Sequence, residues 1–75
     1  MTVDEDRSRT PEGVFGKGLR FYRERAGLTQ TDLAALSNYS NTVISKIEKG
    51  DRPPAEGFPE RMDAITELNT GGALA

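Results

Sequence analysis

Between Gly27 and Pro54 the chain reads GLTQTDLAALSNYSNTVISKIEKGDRPP, two short helical patterns separated only by SNYS. The first opens at Thr29, which precedes Asp32 by three residues in a capping-box spacing with Asp in place of Glu. Leu33, Ala34 and Leu36 supply its apolar contacts, and it ends near Ser37. Asn38 then stands where a left-handed residue is needed, a conformation that asparagine tolerates better than most. The second opens at Ser40, a good N-cap. Its apolar positions are Val43, Ile44 and Ile47, and it stops at Gly50, where DRPP forbids continuation. The rest of this second helix is polar, which a helix made only to fill a core would not need.

The flanking sequence supplies two more helices. Phe15, Leu19, Tyr22 and Ala26 fall at i, i+4, i+7 and i+11, one stripe of a helix from about Glu12 or Val14 to Arg25, with Gly27 as its stop. Gly16 and Gly18 each weaken that helix by roughly 1 kcal/mol against alanine, so tertiary packing must hold its start. Phe58, Met62, Ile65 and Leu68 give a further stripe, in a helix starting between Glu56 and Pro59 and closed by NTGG. No segment alternates long enough for a strand. The expected class is all-α. Residues 1–11 are expected to be a disordered tail, residues 12–70 the folded domain, and residues 71–75 either a truncated fifth helix or a linker to a missing domain. Phe15, Leu19, Tyr22, Leu28, Leu33, Ile44, Ile47, Phe58, Met62 and Ile65 are the expected core.

Composition narrows the function. The 75 residues make one small domain at most and include no cysteine and no histidine. Disulfides, cysteine-based zinc sites and the commonest general base are therefore excluded, and neither an enzyme nor a cofactor is expected. Asp4, Glu5 and Asp6 lack the preformed geometry that a metal site needs. No apolar run approaches the roughly 20 residues of a membrane span, and the charged N-terminus is no signal peptide. The expected location is the cytoplasm. Formal net charge is −2, but unevenly spread: residues 12–54 carry +2 and residues 55–75 carry −3.

Two short helices joined by a three-to-four-residue turn describe a helix-turn-helix, whose second helix enters the DNA major groove. That helix needs an apolar back and a polar front. With Ile44 and Ile47 as the back, Thr42, Ser45, Lys46 and Lys49 point away at about 100° per residue, and Asn41 lies on the flank. Asn, Thr and Ser can hydrogen-bond base edges, and lysine can reach guanine or phosphate.

The stretch LRFYRERAGLTQTDLAALSNYSNTVISKIEKGDRPP resembles the XRE-type, lambda repressor-like helix-turn-helix family. The matching positions are Leu19-Arg20, Arg23-Glu24, Gly27-Leu28-Thr29-Gln30, Leu33-Ala34, Ser40, Ile44-Ser45, Ile47-Glu48, Gly50 and Pro53. The resemblance implies a lambda repressor-like bundle of four to five short helices with a central helix-turn-helix. It implies base contacts from Ser40, Asn41, Thr42 and Lys46, and phosphate contacts from Gln30 and Arg52. It also implies a structural ion pair between Arg23 and Glu48. With Thr29 capping, Gln30 is left free for phosphate. Arg20 has no evident structural task and, with Lys49, joins the phosphate-contacting set. The chain departs from the family at Leu36, Ser37 and Asn38, where a polar residue, an apolar residue and glycine are usual. That implies altered packing at the end of the first of the two helices.

The function expected is a sequence-specific DNA-binding domain of a bacterial-type transcriptional regulator. Its partner would be double-stranded DNA, with a palindromic operator read by a homodimer, since one such helix buries little surface. Modest charge implies a shallow salt slope. The alternative is a protein-interaction module on the same fold, an adaptor or antitoxin-like domain, with Leu36 and Tyr39 as its apolar patch.

Overall fold

The first helix begins at a proline. Thr10 is extended, and its hydroxyl accepts from the Gly13 N–H at 3.0 Å. Pro11, which has no N–H to leave unsatisfied, takes the first helical position. The computed structural model describes residues 10–75. They form α1 (Pro11–Arg25), α2 (Gln30–Ser37), α3 (Asn41–Glu48), α4 (Phe58–Asp63) and a 3-10 turn at Thr66–Leu68, and none of them is in a strand. Thr10 and Pro11, expected in the tail, belong instead to the helix start. Residues 1–9, with Asp4, Glu5 and Asp6, lie outside the described residues.

The caps around α2 and α3 are those expected from the sequence. The Thr29 hydroxyl accepts from the Asp32 N–H at 3.0 Å, and the Asp32 carboxylate accepts from the Thr29 N–H at 2.9 Å. Asn38 is left-handed, with φ of 64°. The Ser40 hydroxyl accepts from the Val43 N–H at 3.1 Å. The departures near Asn38 leave the turn intact. Ser37 is buried, but its hydroxyl accepts from the Tyr39 N–H at 3.3 Å, and its carbonyl accepts from Arg61 Nε at 2.8 Å. That last bond ties α4 to the end of α2.

α3 is the centre of the bundle, with α1 and α2 both packed on it. Leu19, Leu33, Ile44, Ile47, Phe58, Met62, Ile65 and Leu68 form the buried core. Each such side chain contributes roughly 1.5–3 kcal/mol through removal from water. Phe15, Tyr22 and Leu28 pack against it from partly buried positions. Phe58 sits between two rings, Phe15 at 6.0 Å and Tyr39 at 4.8 Å between centroids.

The fourth helix is shorter than expected. It ends at Asp63, Ile65 is extended, and the chain resumes as the 3-10 turn. Ile65 and Leu68 are still buried. They are three residues apart, and a 3-10 turn sets such residues above one another much as an α-helix does. The break is held by Asp63, whose carboxylate accepts from the Thr70 hydroxyl and from the Leu74 and Ala75 N–H groups at 3.1 and 2.7 Å. Residues 71–74 consequently form a turn, not a fifth helix, and Leu74 folds back on the core.

Candidate nucleic-acid interface

α3 has eight residues, too short to be stable alone in water. Ser40 satisfies one of its free N-terminal N–H groups, while Ile44 and Ile47 anchor its back. Asn41, Thr42, Lys46 and Lys49 are all exposed on its outer side. Ser45, expected on that front, is half-buried. Ser40 is exposed, but its oxygen already serves as the cap. Arg52 is exposed just past the helix. The side chains of Lys46, Lys49 and Arg52 make no ion pair or hydrogen bond among the described residues.

The C-terminal end of α3 is clamped to α1. Arg23 Nε and Glu48 Oε2 lie 2.6 Å apart, and a second bond runs from Arg23 Nη2 to Glu48 Oε1 at 3.0 Å. This is a two-pronged pair, with side chains 11% and 3% exposed. Arg23 Nη1 also donates to the Leu28 carbonyl at 2.9 Å, which fixes the connection between α1 and α2. Hydrogen bonding to Glu48 raises the Arg23 pKa against the opposing effect of desolvation, so the guanidinium stays charged. The expected structural pair is thus present, and its carboxylate has a third partner.

That partner is Gln30, whose Nε2 donates to Glu48 Oε1 at 3.0 Å. The side chain expected to be free is therefore engaged and half-buried. The physical reason is the spare acceptor capacity of a carboxylate that the two-pronged arginine does not exhaust. Arg20 is engaged as well, since its Nε pairs with Glu24 Oε2 at 3.1 Å. Both side chains are more than half exposed, so the pair contributes little and can exchange for another anion.

The N-terminal end of α3 is tied to α2. Asn41 Nδ2 donates to Thr31 Oγ1 at 2.7 Å. Sequence reasoning missed Thr31, because a threonine in the first turn of a helix looks like any solvated residue. Tyr39, expected in an exposed apolar patch with Leu36, packs on Phe58 instead. Leu36 remains 40% exposed without it.

α1 approaches α3 most closely at Gly16. A Cβ there would lie 2.3 Å from the Ile47 carbonyl oxygen and 2.7 Å from that of Glu48. The glycine that weakens α1 as an isolated helix is what lets α3 come this close.

A family profile described as a helix-turn-helix domain matches residues 14–74, from the first turns of α1 to the closing turn. No curated protein and no solved structure gives a match.

Proposed function

Since the chain belongs to the helix-turn-helix domain family, in its XRE-type branch, we propose that it is the sequence-specific DNA-binding domain of a transcriptional regulator, with α3 reading the major groove. The family's architecture supports a DNA-binding, regulatory role in general. The observation that carries the specific reading is the outer side of α3. Asn41, Thr42, Lys46 and Lys49 are exposed there over a back of fully buried Ile44 and Ile47.

Asn41 and Thr42, with Lys46 a turn further on, have the chemistry to reach base edges. The Ser40 hydroxyl keeps its proton for donation while its oxygen caps the helix. Lys49 and Arg52 would meet backbone phosphate, and Arg20 would do so by giving up its exposed pair with Glu24. Gln30 would reach phosphate with the amide atoms left over from its bond to Glu48. Phosphate contacts fix docking, and base contacts specify. A two-turn helix covers only a short site, so a second copy on an adjacent half-site would complete a palindromic operator.

The test is selection of bound duplexes from a random pool at low salt, followed by anisotropy titration. A short enriched site is expected. Lys46→Ala should relax preference at particular positions, whereas Arg52→Ala should weaken all sequences and reduce the salt slope by about 1. No enrichment and no low-salt binding, even by a covalently linked dimer of the domain, would overturn the reading.

A further inference from the structure

α1 is apolar on two sides. One side faces the core through Gly16 and Leu19, both buried. On the opposite side Val14, Gly18 and Phe21 fall at i, i+4 and i+7, a second stripe that a helix packed on one core does not need. Val14 is 61% and Phe21 58% exposed. The third large hydrophobic side chain exposed among the described residues, Leu36, lies on α2. Beside the stripe runs an open apolar groove of about 580 Å³, walled by Pro11, Phe15 and Tyr22 of α1 and by Leu74 of the closing turn. A protruding ring and an apolar groove therefore share one face of one helix.

We propose that two copies of the chain meet on this face, as an antiparallel α1–α1 pair that crosses near Gly18. The pair deepens the two-copy reading of DNA binding by giving it an interface, yet it is a property of the free protein.

The face is complementary to itself. A two-fold axis at Gly18 sets Phe21, three residues after it, opposite Phe15, three residues before it in the other copy. Each Phe21 thus enters the groove of the other copy. Its ring already leans on Tyr22, with centroids 5.3 Å apart, and so stands at the groove edge. Gly18 marks the crossing. A Cβ there would meet only Leu74, at 4.0 Å, so nothing within the chain requires a glycine, in contrast to Gly16. A glycine weakens a helix, but where two helices cross it lets the backbones come close.

The charges at the ends match as well. Glu12 in the first turn and Arg25 in the last make no side-chain bond among the described residues. About 20 Å of helix separates them, too far for a pair within one chain. The antiparallel crossing lays the last turn of each α1 beside the first turn of the other, so each charge finds its opposite. Lys17 acts the other way. It is exposed next to Gly18 in both copies, and the two like charges weaken the pair. One helix and a closing turn also make a small interface, at the low end of those that hold two proteins together. The expected dimer is accordingly weak.

Sedimentation equilibrium of the whole chain without DNA tests this, from about 10 to about 500 μM, a range that spans a weak Kd. The mean mass should rise from 8.2 kDa toward twice that value. Phe21→Ser should raise the dimer Kd about tenfold or more, the loss of one buried aromatic per copy. Gly18→Ala should also raise it, although alanine suits a helix better than glycine. Leu36→Ser, on the other exposed apolar side chain, should leave it unchanged. Circular dichroism should show equal helix content in all of them. The chain has no cysteine, so an introduced one can bond only to its own copy. Under mild oxidation Lys17→Cys should link two chains much faster than Arg25→Cys, whose two copies the antiparallel crossing sets about 20 Å apart.

A mass that stays at 8.2 kDa throughout overturns the inference. So does a dimer that Leu36→Ser breaks and Phe21→Ser leaves whole. Masses that climb past the dimer mean an open contact between different faces, and equal linking at positions 17 and 25 means a parallel pair. Either refutes the antiparallel α1 pair. None of these results bears on whether α3 selects a DNA site, so the two readings fail separately.

Discussion

Removing the Arg23 guanidinium should destabilise the domain strongly, although Arg23 lies on neither α2 nor α3. Its two-pronged bond to Glu48 joins side chains 11% and 3% exposed. The long arginine stem fills space that methionine can also fill, so Arg23→Met isolates the loss of the guanidinium from a loss of packing. The variant leaves the Glu48 carboxylate buried with Gln30 Nε2 as its remaining side-chain donor, and leaves the Leu28 carbonyl without Arg23 Nη1. Breaking a buried pair from one side costs about 3–5 kcal/mol. The small exposure of Arg23 puts the expectation at the lower end, about 3 kcal/mol. For a domain of this size that corresponds to a melting-temperature fall of roughly 12–24 °C.

The decisive comparison is with Arg23→Met/Glu48→Met. Replacing both members of a buried pair with apolar residues is often near neutral, because no buried charge is left alone. The double variant should be more stable than Arg23→Met alone by about 1 kcal/mol or more. Urea denaturation at neutral pH, followed by helical circular dichroism, measures all members of the cycle. A loss below about 1 kcal/mol in Arg23→Met would mean that the pair behaves like an exposed one. Additive losses in the double variant would mean that no coupling exists between these residues. Either result refutes the reasoning.

Three further outcomes follow from the same geometry. Gly16→Ala should lower the urea midpoint severely, since its Cβ would overlap the Ile47 and Glu48 carbonyls, whereas Gly18→Ala meets only Leu74 at 4.0 Å and should stabilise by about 0.5–1 kcal/mol. Thr29→Ala, which removes half of the capping box at the start of α2, should cost about 1 kcal/mol in the same assay, and an unchanged midpoint would refute that role. Desolvation pushes the Asp63 carboxyl up, but the Thr70 hydroxyl and the Ala75 and Leu74 N–H groups together hold its pKa below the ordinary carboxylate value. Because the folded pKa is depressed, its contribution is present above the unfolded value of about 3.9 and is lost as pH falls through the folded one. The stability gap between wild type and Asp63→Asn should therefore be present at pH 7 and shrink below about pH 4, and a gap independent of pH would refute the role given to the charge.

What the sequence made legible was mostly local. Thr29 with Asp32, Ser40 as an N-cap and Asn38 as a left-handed stop each depend on neighbours a few residues away, so their chemistry is visible in a short window. The core was legible through spacing, even where the element was not. Ile65 is buried as expected, and so is Leu68 of the same stripe, but Ile65 is extended and Leu68 lies on a 3-10 turn, because three-residue spacing does not separate the two helix types. The features that escaped are the ones made by distant partners. Nothing near Gln30 indicates that Glu48 has acceptor capacity to spare, and nothing near Asp63 announces the N–H groups of Leu74 and Ala75. Gly16 did carry a signal. It lies three residues before Leu19, on the buried side of α1, and a glycine there marks a close approach of backbones sooner than a weak helix start.

These long-range contacts bear on function because α3 cannot hold itself. Its eight residues fall short of the length at which an isolated helix is stable. Its direction is set by α1, through Gly16 and the Arg23–Glu48 pair, and by Ile44 and Ile47 in the core. Base reading requires several side chains on α3 to meet base edges together, so a tilt of the helix displaces all of them at once. Variants at Gly16 or Arg23 that remain folded at low temperature are therefore expected to lose affinity for every sequence alike, while changes at Asn41 or Lys46 alter preference base by base. The clamp residues act on whether α3 is presented at all. The outer side chains act on what it selects once presented.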